Sequence, residues 1–261
     1  MLIVDSHCHA SEQFFEPVEV LAYEMERNEV QHAALIQMRG QFDNTYQEEC
    51  IRRYPGRFTS VVAINVQRNE ALVVLEDWVR RGAVGVRLRV ADSEAVWRHA
   101  ARLGIAVSAQ GSAVEFASEH FARLVNDLPN MPIVLEHYAG LHHVAAGSAP
   151  GDDVVSRVLG LARYPNIYVK VHGLGEFSER ALPMTADFPF VRPIPGVLDH
   201  VASAFGADKM MWGSDFPPCA SREGYRNALR HTLSVLEGTF DTQALAKIFG
   251  GNALKVFPLQ G

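Results

Sequence analysis

The residues with the plainest chemical capacity are His7 and His9, in the opening stretch MLIVDSHCHA. Two imidazoles separated by one residue fall on the same side of an extended chain. There they can ligate a metal ion or donate hydrogen bonds to a developing oxyanion. Alternation places Asp5 on that face as well and leaves Val4, Ser6 and Cys8 on the other. The competing reading, hydrogen-bonded core histidines at the end of a buried strand, suits one histidine better than two.

The same parity applied along the chain turns further polar groups to one side. In VGVRLRV, Val86, Leu88 and Val90 face outward and Arg87 and Arg89 inward, where each needs an internal carboxylate or an anionic substrate. In NIYVKVHG, Tyr168, Lys170 and His172 face inward, and a lysine so placed is either ion-paired or chemically employed. KMMWGSDFPP ends on Asp215, a carboxylate that can ligate a metal or accept a proton from water, or simply cap a turn. PIVLEHYAG contributes His137, with His142 and His143 shortly after it. The remaining histidines fall in stretches that read as surface or structural.

These side chains need a scaffold that gathers strand ends. Short apolar or β-branched runs begin near residues 2, 32, 60, 84, 104, 132, 166 and 209, and between them lie amphipathic stretches such as 16–28, 70–81, 94–103 and 115–128. Strands alternating with helices imply βαβ units and a parallel sheet. Eight such units over 261 residues predict a single-domain (β/α)8 barrel spanning 1–261, whose active site lies at the C-terminal ends of the strands. A doubly wound sheet is the competing architecture, but no GxGxxG follows the first strand. Pro/Gly clusters at 147–151 and 189–196 read as loops, and 173–200 reads as a long loop of the kind that carries function.

Composition excludes other classes. With 48% hydrophobic residues the chain can bury a large core, and a formal net charge of −6 with no basic block argues against nucleic acid. No stretch is long and apolar enough for a membrane span, so a soluble protein acting on a small molecule is expected. Cys8, Cys50 and Cys219 are widely spaced, form no CxxC pair, and suit a reducing, cytoplasmic setting, with Cys8 and Cys219 expected to pack rather than react. Homo-oligomerisation is left open.

Together DSHCH, EHYAG, VKVHGLGEFS, WGSDFP and the closing GGNALKVF resemble the amidohydrolase superfamily, in particular its amidohydrolase-2 branch of lactonases and zinc decarboxylases. The likeness runs from residue 2 to about 257. It implies that His7 and His9 are the metal-binding pair, Asp215 the strand-eight aspartate and His137 the strand-six histidine. It also implies a strand-five ligand histidine, where this chain carries Gln110, a far poorer zinc ligand. One weakly bound zinc or manganese, held by His7, His9 and Asp215, or metal-independent catalysis, is the expectation that follows.

The resemblance further implies that strand four binds substrate through an arginine, so Arg87 and Arg89 are expected to contact an anionic or polyhydroxylated substrate, with Lys170, His172, Gln110 and the loop residue Arg192 around it. The expected reaction is lactone hydrolysis, with Asp215 as base and His7, His9 and His137 polarising the carbonyl. The alternative is metal-dependent decarboxylation of an aromatic or enolic acid, with His137 or His172 protonating the carbanion.

Overall fold

The computed structural model describes residues 1–145 and 151–259. Eight parallel strands stand in sequential order: β1 Val4–Cys8, β2 His32–Ile36, β3 Phe58–Val62, β4 Ala83–Arg89, β5 Ala106–Gln110, β6 Ile133–Leu135, β7 Ile167–Val171 and β8 Met210–Trp212. Eight principal helices alternate with them: α1 Val18–Arg27, α2 Thr45–Arg53, α3 Ala71–Arg80, α4 Glu94–Leu103, α5 Glu119–Asp127, α6 Asp152–Gly160, α7 Val197–Phe205 and α8 Tyr225–Leu236. The segment after β8 returns to β1 through backbone bonds from Asp215 N to His7 O and from His9 N to Phe216 O, both 2.8 Å. The sheet thereby becomes a (β/α)8 barrel, as the alternation predicts.

The barrel has two apolar layers. Outward-facing strand residues such as Leu35, Val86, Leu88, Val107 and Val169 pack against the helices. The floor of the lumen is filled by Ala34, Ile36, Val61, Val84, Ala106, Val134, Tyr168 and Met211, and is closed from below by Val256 and Phe257. Polar side chains can therefore enter the lumen only above this floor, towards the C-terminal strand ends.

Helix boundaries follow local chemistry. Helix α4 begins where Ser93 Oγ accepts from Ala95 N and stops at Gly104, whose φ of +70° ends it in the left-handed region. The stretch 115–128, read as one helix, is two: Ser112 and Glu115 form a capping box for a single turn, Ala113–Phe116, and Ser118 then caps α5. Strands six and eight are shorter than their apolar runs because the chain turns into the left-handed region soon after each, at His137 and at Asp215. Of the Pro/Gly cluster at 147–151, all but Gly151 lies outside the described residues; Gly151 precedes α6. Among the described residues, no helix is long and apolar enough to cross a membrane.

Candidate active site

The first wall of the site is the seam between β1 and β8. Gly213 is demanded there, since a Cβ at that position would lie 2.7 Å from His7 Cβ and 2.9 Å from His7 N. The close approach brings Asp215 Oδ1 to 3.6 Å from His9 Nε2 and 3.8 Å from His7 Nε2. His9 Nδ1 lies 2.7 Å from the Ile36 carbonyl, so it carries the proton and leaves Nε2 towards the cavity.

Asp5 does not share this face. A bulge in β1 between Asp5 and Cys8 breaks the alternation. The Asp5 carboxylate instead accepts from Ser214 N at 2.8 Å, His7 N at 3.1 Å and the Tyr225 hydroxyl of α8 at 3.0 Å. Burial raises its pKa to about 6 against these bonds. Its place is in the joint that holds the seam.

The second wall follows β6. His137, Tyr138, Ala139 and Gly140 take φ values of +50°, +54°, +55° and +76°, a consecutive left-handed run. Only glycine fits at 140, where a Cβ would lie 2.4 Å from Ala113 N. The run turns the His137 ring back over the lumen, stacked at 4.5 Å on His172. His137 Nδ1 lies 2.7 Å from Glu176 Oε1. Although burial opposes it, the carboxylates of Glu176, Asp215 and Glu136 raise His137 to about 9, so the ring is cationic at neutral pH. His172 is the opposite case, pulled down by burial to about 3. Its Nδ1 lies 2.9 Å from the Gly213 carbonyl, and its Nε2 accepts the His137 backbone N–H at 3.4 Å.

Below these rings lies a buried ionic layer. Lys170 Nζ is 2.9 Å from His7 Nδ1 and 2.8 Å from Ser108 Oγ, and Ser108 donates to Glu136 at 2.7 Å. Glu136 is gripped by Arg87 through Nε at 3.0 Å and Nη2 at 2.7 Å, while Arg87 Nη1 donates to the Gln37 carbonyl. Burial would raise Glu136, but Arg87 and Lys170 hold it well below the usual carboxylate range. Lys170 is itself pulled down by burial to about 7.

The expected substrate arginines are therefore placed otherwise. Arg87 enters the lumen, but Glu136 and Gln37 absorb its directed donors. Arg89 is 49% exposed at the rim and pairs with Asp92 at 3.0 Å, because the strand ends there and its side chain leaves the lumen. Arg192 is exposed and lies on the Phe188 ring at 4.1 Å rather than in the cavity. Gln110 stands at the end of β5, on the border of two cavities.

The larger cavity, about 440 Å³, is lined by Gln110, Gly111, Glu136, His137, His142, His143, Glu176 and Arg222. Arg222 reaches Asp215 Oδ2 at 3.0 Å and Glu176 Oε1 at 3.4 Å. Next to it, the Glu223 side chain is fully buried against the backbone of Gly173 and Gly175, where an added Cβ would meet its oxygens at 1.8 and 1.6 Å. Burial raises Glu223 to about 7. Sequence reasoning missed Glu136, Glu176, Arg222 and Glu223. Glu136 had a signal, since it adjoins His137 at a strand end; Glu176, Arg222 and Glu223 sit in loops whose paths no periodicity reveals. All three cysteines are free and buried.

The donor set fits one divalent cation. Ligand atoms of His7, His137 and Asp215 lie within 4.8 Å of one another, and His7 Nε2 is buried without a hydrogen-bond partner. The tight group among the described residues is thus His7, His137 and Asp215 rather than the expected His7, His9 and Asp215. His137, His172 and Glu176 form a second group of the same span. His7 can offer Nε2 when its proton sits on Nδ1 facing a neutral Lys170, and donates from Nε2 when Lys170 is an ammonium.

The sequence matches the amidohydrolase family over residues 4–259. No curated protein is matched. Among solved structures, the fold is similar to a zinc-bound amidohydrolase from Burkholderia multivorans, at 18% identity, covering 100% of both chains, with a TM-score of 0.76. It is also similar to a candidate 2-pyrone-4,6-dicarboxylic acid hydrolase from Pseudomonas putida, at 18% identity over 100% of this chain and 98% of that one, TM-score 0.77. A 5-carboxyvanillate decarboxylase from Sphingomonas paucimobilis shares 13% identity over 99% of each chain, TM-score 0.66.

Proposed function

The chain belongs to the amidohydrolase family, and from that membership we propose that it hydrolyses a lactone bearing a carboxylate or several hydroxyls. The observation that carries this reading is the opposed ionisation of two groups at the barrel mouth whose ligand atoms lie within 4.8 Å of each other. His137 is raised to about 9 and stays cationic, while Asp215 is held well below the usual carboxylate range: burial works against that, and the neighbouring His9 ring and the charge of His137 overcome it. Such a pair defines an acid or electrophile and a base.

In this mechanism a water attacks the lactone carbonyl carbon as Asp215 takes one of its protons. His137, cationic and fixed by Glu176, polarises the carbonyl and stabilises the oxyanion together with His7. Collapse breaks the ring C–O bond, and the proton held on Asp215 passes to the leaving alkoxide, giving a hydroxy acid. Where a divalent ion is bound, His137 would give up its Nε2 proton and, with His7 and Asp215, would hold the ion, with His9 beside them, and the ion would supply the Lewis-acid polarisation of the carbonyl in place of the imidazolium. The Pseudomonas putida neighbour is named for a pyrone dicarboxylate, a cyclic ester with two carboxylates, which supports the substrate class.

A second reading, decarboxylation of an aromatic acid, is favoured by the decarboxylase neighbour and by the proton that His137 carries. One preparation decides: assay sugar lactones, carboxylated lactones and hydroxybenzoates, with metal analysis before and after chelation. Ring opening of a lactone without CO2 release supports the first reading. CO2 release that depends on bound zinc, with no lactone turned over, replaces it by the second.

A further inference from the structure

We propose that Arg222 is the residue that selects a carboxylate on the substrate, and that binding this carboxylate draws the guanidinium from Asp215. The proposal rests on the lactonase reading and deepens it by assigning the substrate's anion to a residue that neither the strand-four arginines nor the family likeness indicate.

Most arginines near the mouth are already engaged. The Arg87 nitrogens are taken by Glu136 and Gln37. Arg89 is bound to Asp92 through Nε and Nη2. Arg192 lies on Phe188. Arg39 borders a smaller cavity of about 190 Å³ whose lining includes no histidine. Arg222 alone among these lines the cavity that holds His137, and its Nε and Nη2 are buried with no aligned hydrogen-bond partner among the described residues.

The nearness of Arg222 to Asp215 is therefore an ion pair without a directed bond: 3.0 Å separates Nη2 from Oδ2, yet the angles are poor. Glu176 is shared with His137, and Glu223 stands 3.9 Å from Nε. A planar guanidinium whose Nε and Nη2 are buried but unaligned can turn from Asp215 to present its fork to a carboxylate entering the cavity, which it can grip bidentately. A substrate carboxylate seated there competes with Asp215 for the same charge. Asp215 is then released to the attacking water only when an anionic substrate is present, and an uncharged lactone leaves the pair closed.

The test compares 2-pyrone-6-carboxylate with its carboxamide on wild type, Arg222→Met and Arg222→Lys, and measures isophthalate binding to each by calorimetry. Wild type is expected to prefer the carboxylate by about 30-fold or more in kcat/KM, and Arg222→Met to bring that ratio to within about threefold, mainly by raising KM, with Arg222→Lys in between. Isophthalate should bind wild type and weaken by about tenfold or more in Arg222→Met. The lysine variant keeps the charge, and melting curves establish that each variant is folded. A carboxylate preference that survives in folded Arg222→Met overturns the proposal. If wild type opens neither pyrone, the lactonase reading fails by itself: weakened isophthalate binding in the variant still supports Arg222, whereas unchanged binding, or none to wild type, overturns it.

Discussion

His137 and Asp215 bring their ligand atoms within 4.8 Å of each other from backbones that are both left-handed, φ +50° at one and +55° at the other. Neither is glycine, and such conformations cost about 1–2 kcal/mol each for a residue with a Cβ. The turns persist because backbone bonds hold the neighbouring chain, Glu136 N to Ala109 O before His137, and Asp215 N to His7 O and His9 N to Phe216 O around Asp215, and they aim both side chains at one point. Asparagine tolerates the left-handed region as aspartate does. Asp215→Asn should therefore keep the fold and lower kcat by about 10³-fold with KM within a few fold. Asp215→Ala should lose as much activity and melt lower, by about 1 kcal/mol of extra backbone cost. Steady-state kinetics and thermal denaturation of both variants check this. An asparagine variant with near wild-type kcat would remove Asp215 from the chemistry.

Glu136 sits between two buried cations, and its replacement should be costly for that reason. Glu136→Gln leaves Arg87 and Lys170 without their anion, a loss of about 3–5 kcal/mol at pH 7. The sign with pH follows from the depressed carboxyl: wild type enjoys the contribution above the unfolded value near 4.5 and loses it as pH falls towards the folded one. The gap between the wild-type and variant stability curves should thus be constant above about pH 5 and narrow progressively as pH falls below about 4.5 towards the folded value. Parallel curves would show that Glu136 is not the ionised partner of Arg87.

Of His7, His9, His137 and His172, His7 is the one whose Nδ1 meets neither a carbonyl nor a carboxylate at hydrogen-bond distance: the others are oriented by Ile36 O, Glu176 and Gly213 O, and His7 by Lys170 Nζ at 2.9 Å. Lys170→Met frees the His7 ring to take either tautomer. The expected result is a changed ring-nitrogen NMR signature for His7 and a kcat about tenfold lower, with KM nearly unchanged. An unchanged His7 spectrum would mean that another group fixes the ring.

Much of this architecture is legible in the sequence because period-two alternation survives in most strands. Lys170 and His172 enter the lumen as their parity requires, and α4 spans the residues its pattern marks. The failures share a cause. Asp5 leaves the face that parity assigns to it because a bulge between Asp5 and Cys8 inverts the alternation, and Arg89 does so because its strand stops where the alternation still runs on. Arg87 was given the right direction but its carboxylate was hidden, since Glu136 is brought to it by strand order β4–β5–β6 rather than by sequence distance. Glu176, Arg222 and Glu223 come from loops, where placement depends on tertiary packing alone. Even so, GLG at 173–175 was a clue, as two glycines that close imply a neighbour too near for side chains.

That neighbour is Glu223, and its burial makes the last prediction. Gly173→Ala would place a Cβ 1.8 Å from Glu223 Oε1 and 2.8 Å from Ala228 Cβ, so the variant should lose about 2–3 kcal/mol, recovered only in part by Glu223→Ala in the double mutant, where the Ala228 contact remains. Glu223→Gln should instead stabilise, and only at higher pH. The carboxyl is raised by burial from 4.5 to about 7, so the folded state holds a proton that the unfolded state releases between those values. Its stabilising share is full below about pH 4.5, falls as pH rises, and is gone above about pH 7. An amide mimics the protonated form at every pH. Thermal denaturation should therefore show wild type and Glu223→Gln melting together at pH 4.5 and the variant more stable by about 2 kcal/mol at pH 8. Equal stability at pH 8 would mean that Arg222 or the Gly175 backbone compensates the charge, and that Glu223 is ionised in the folded enzyme.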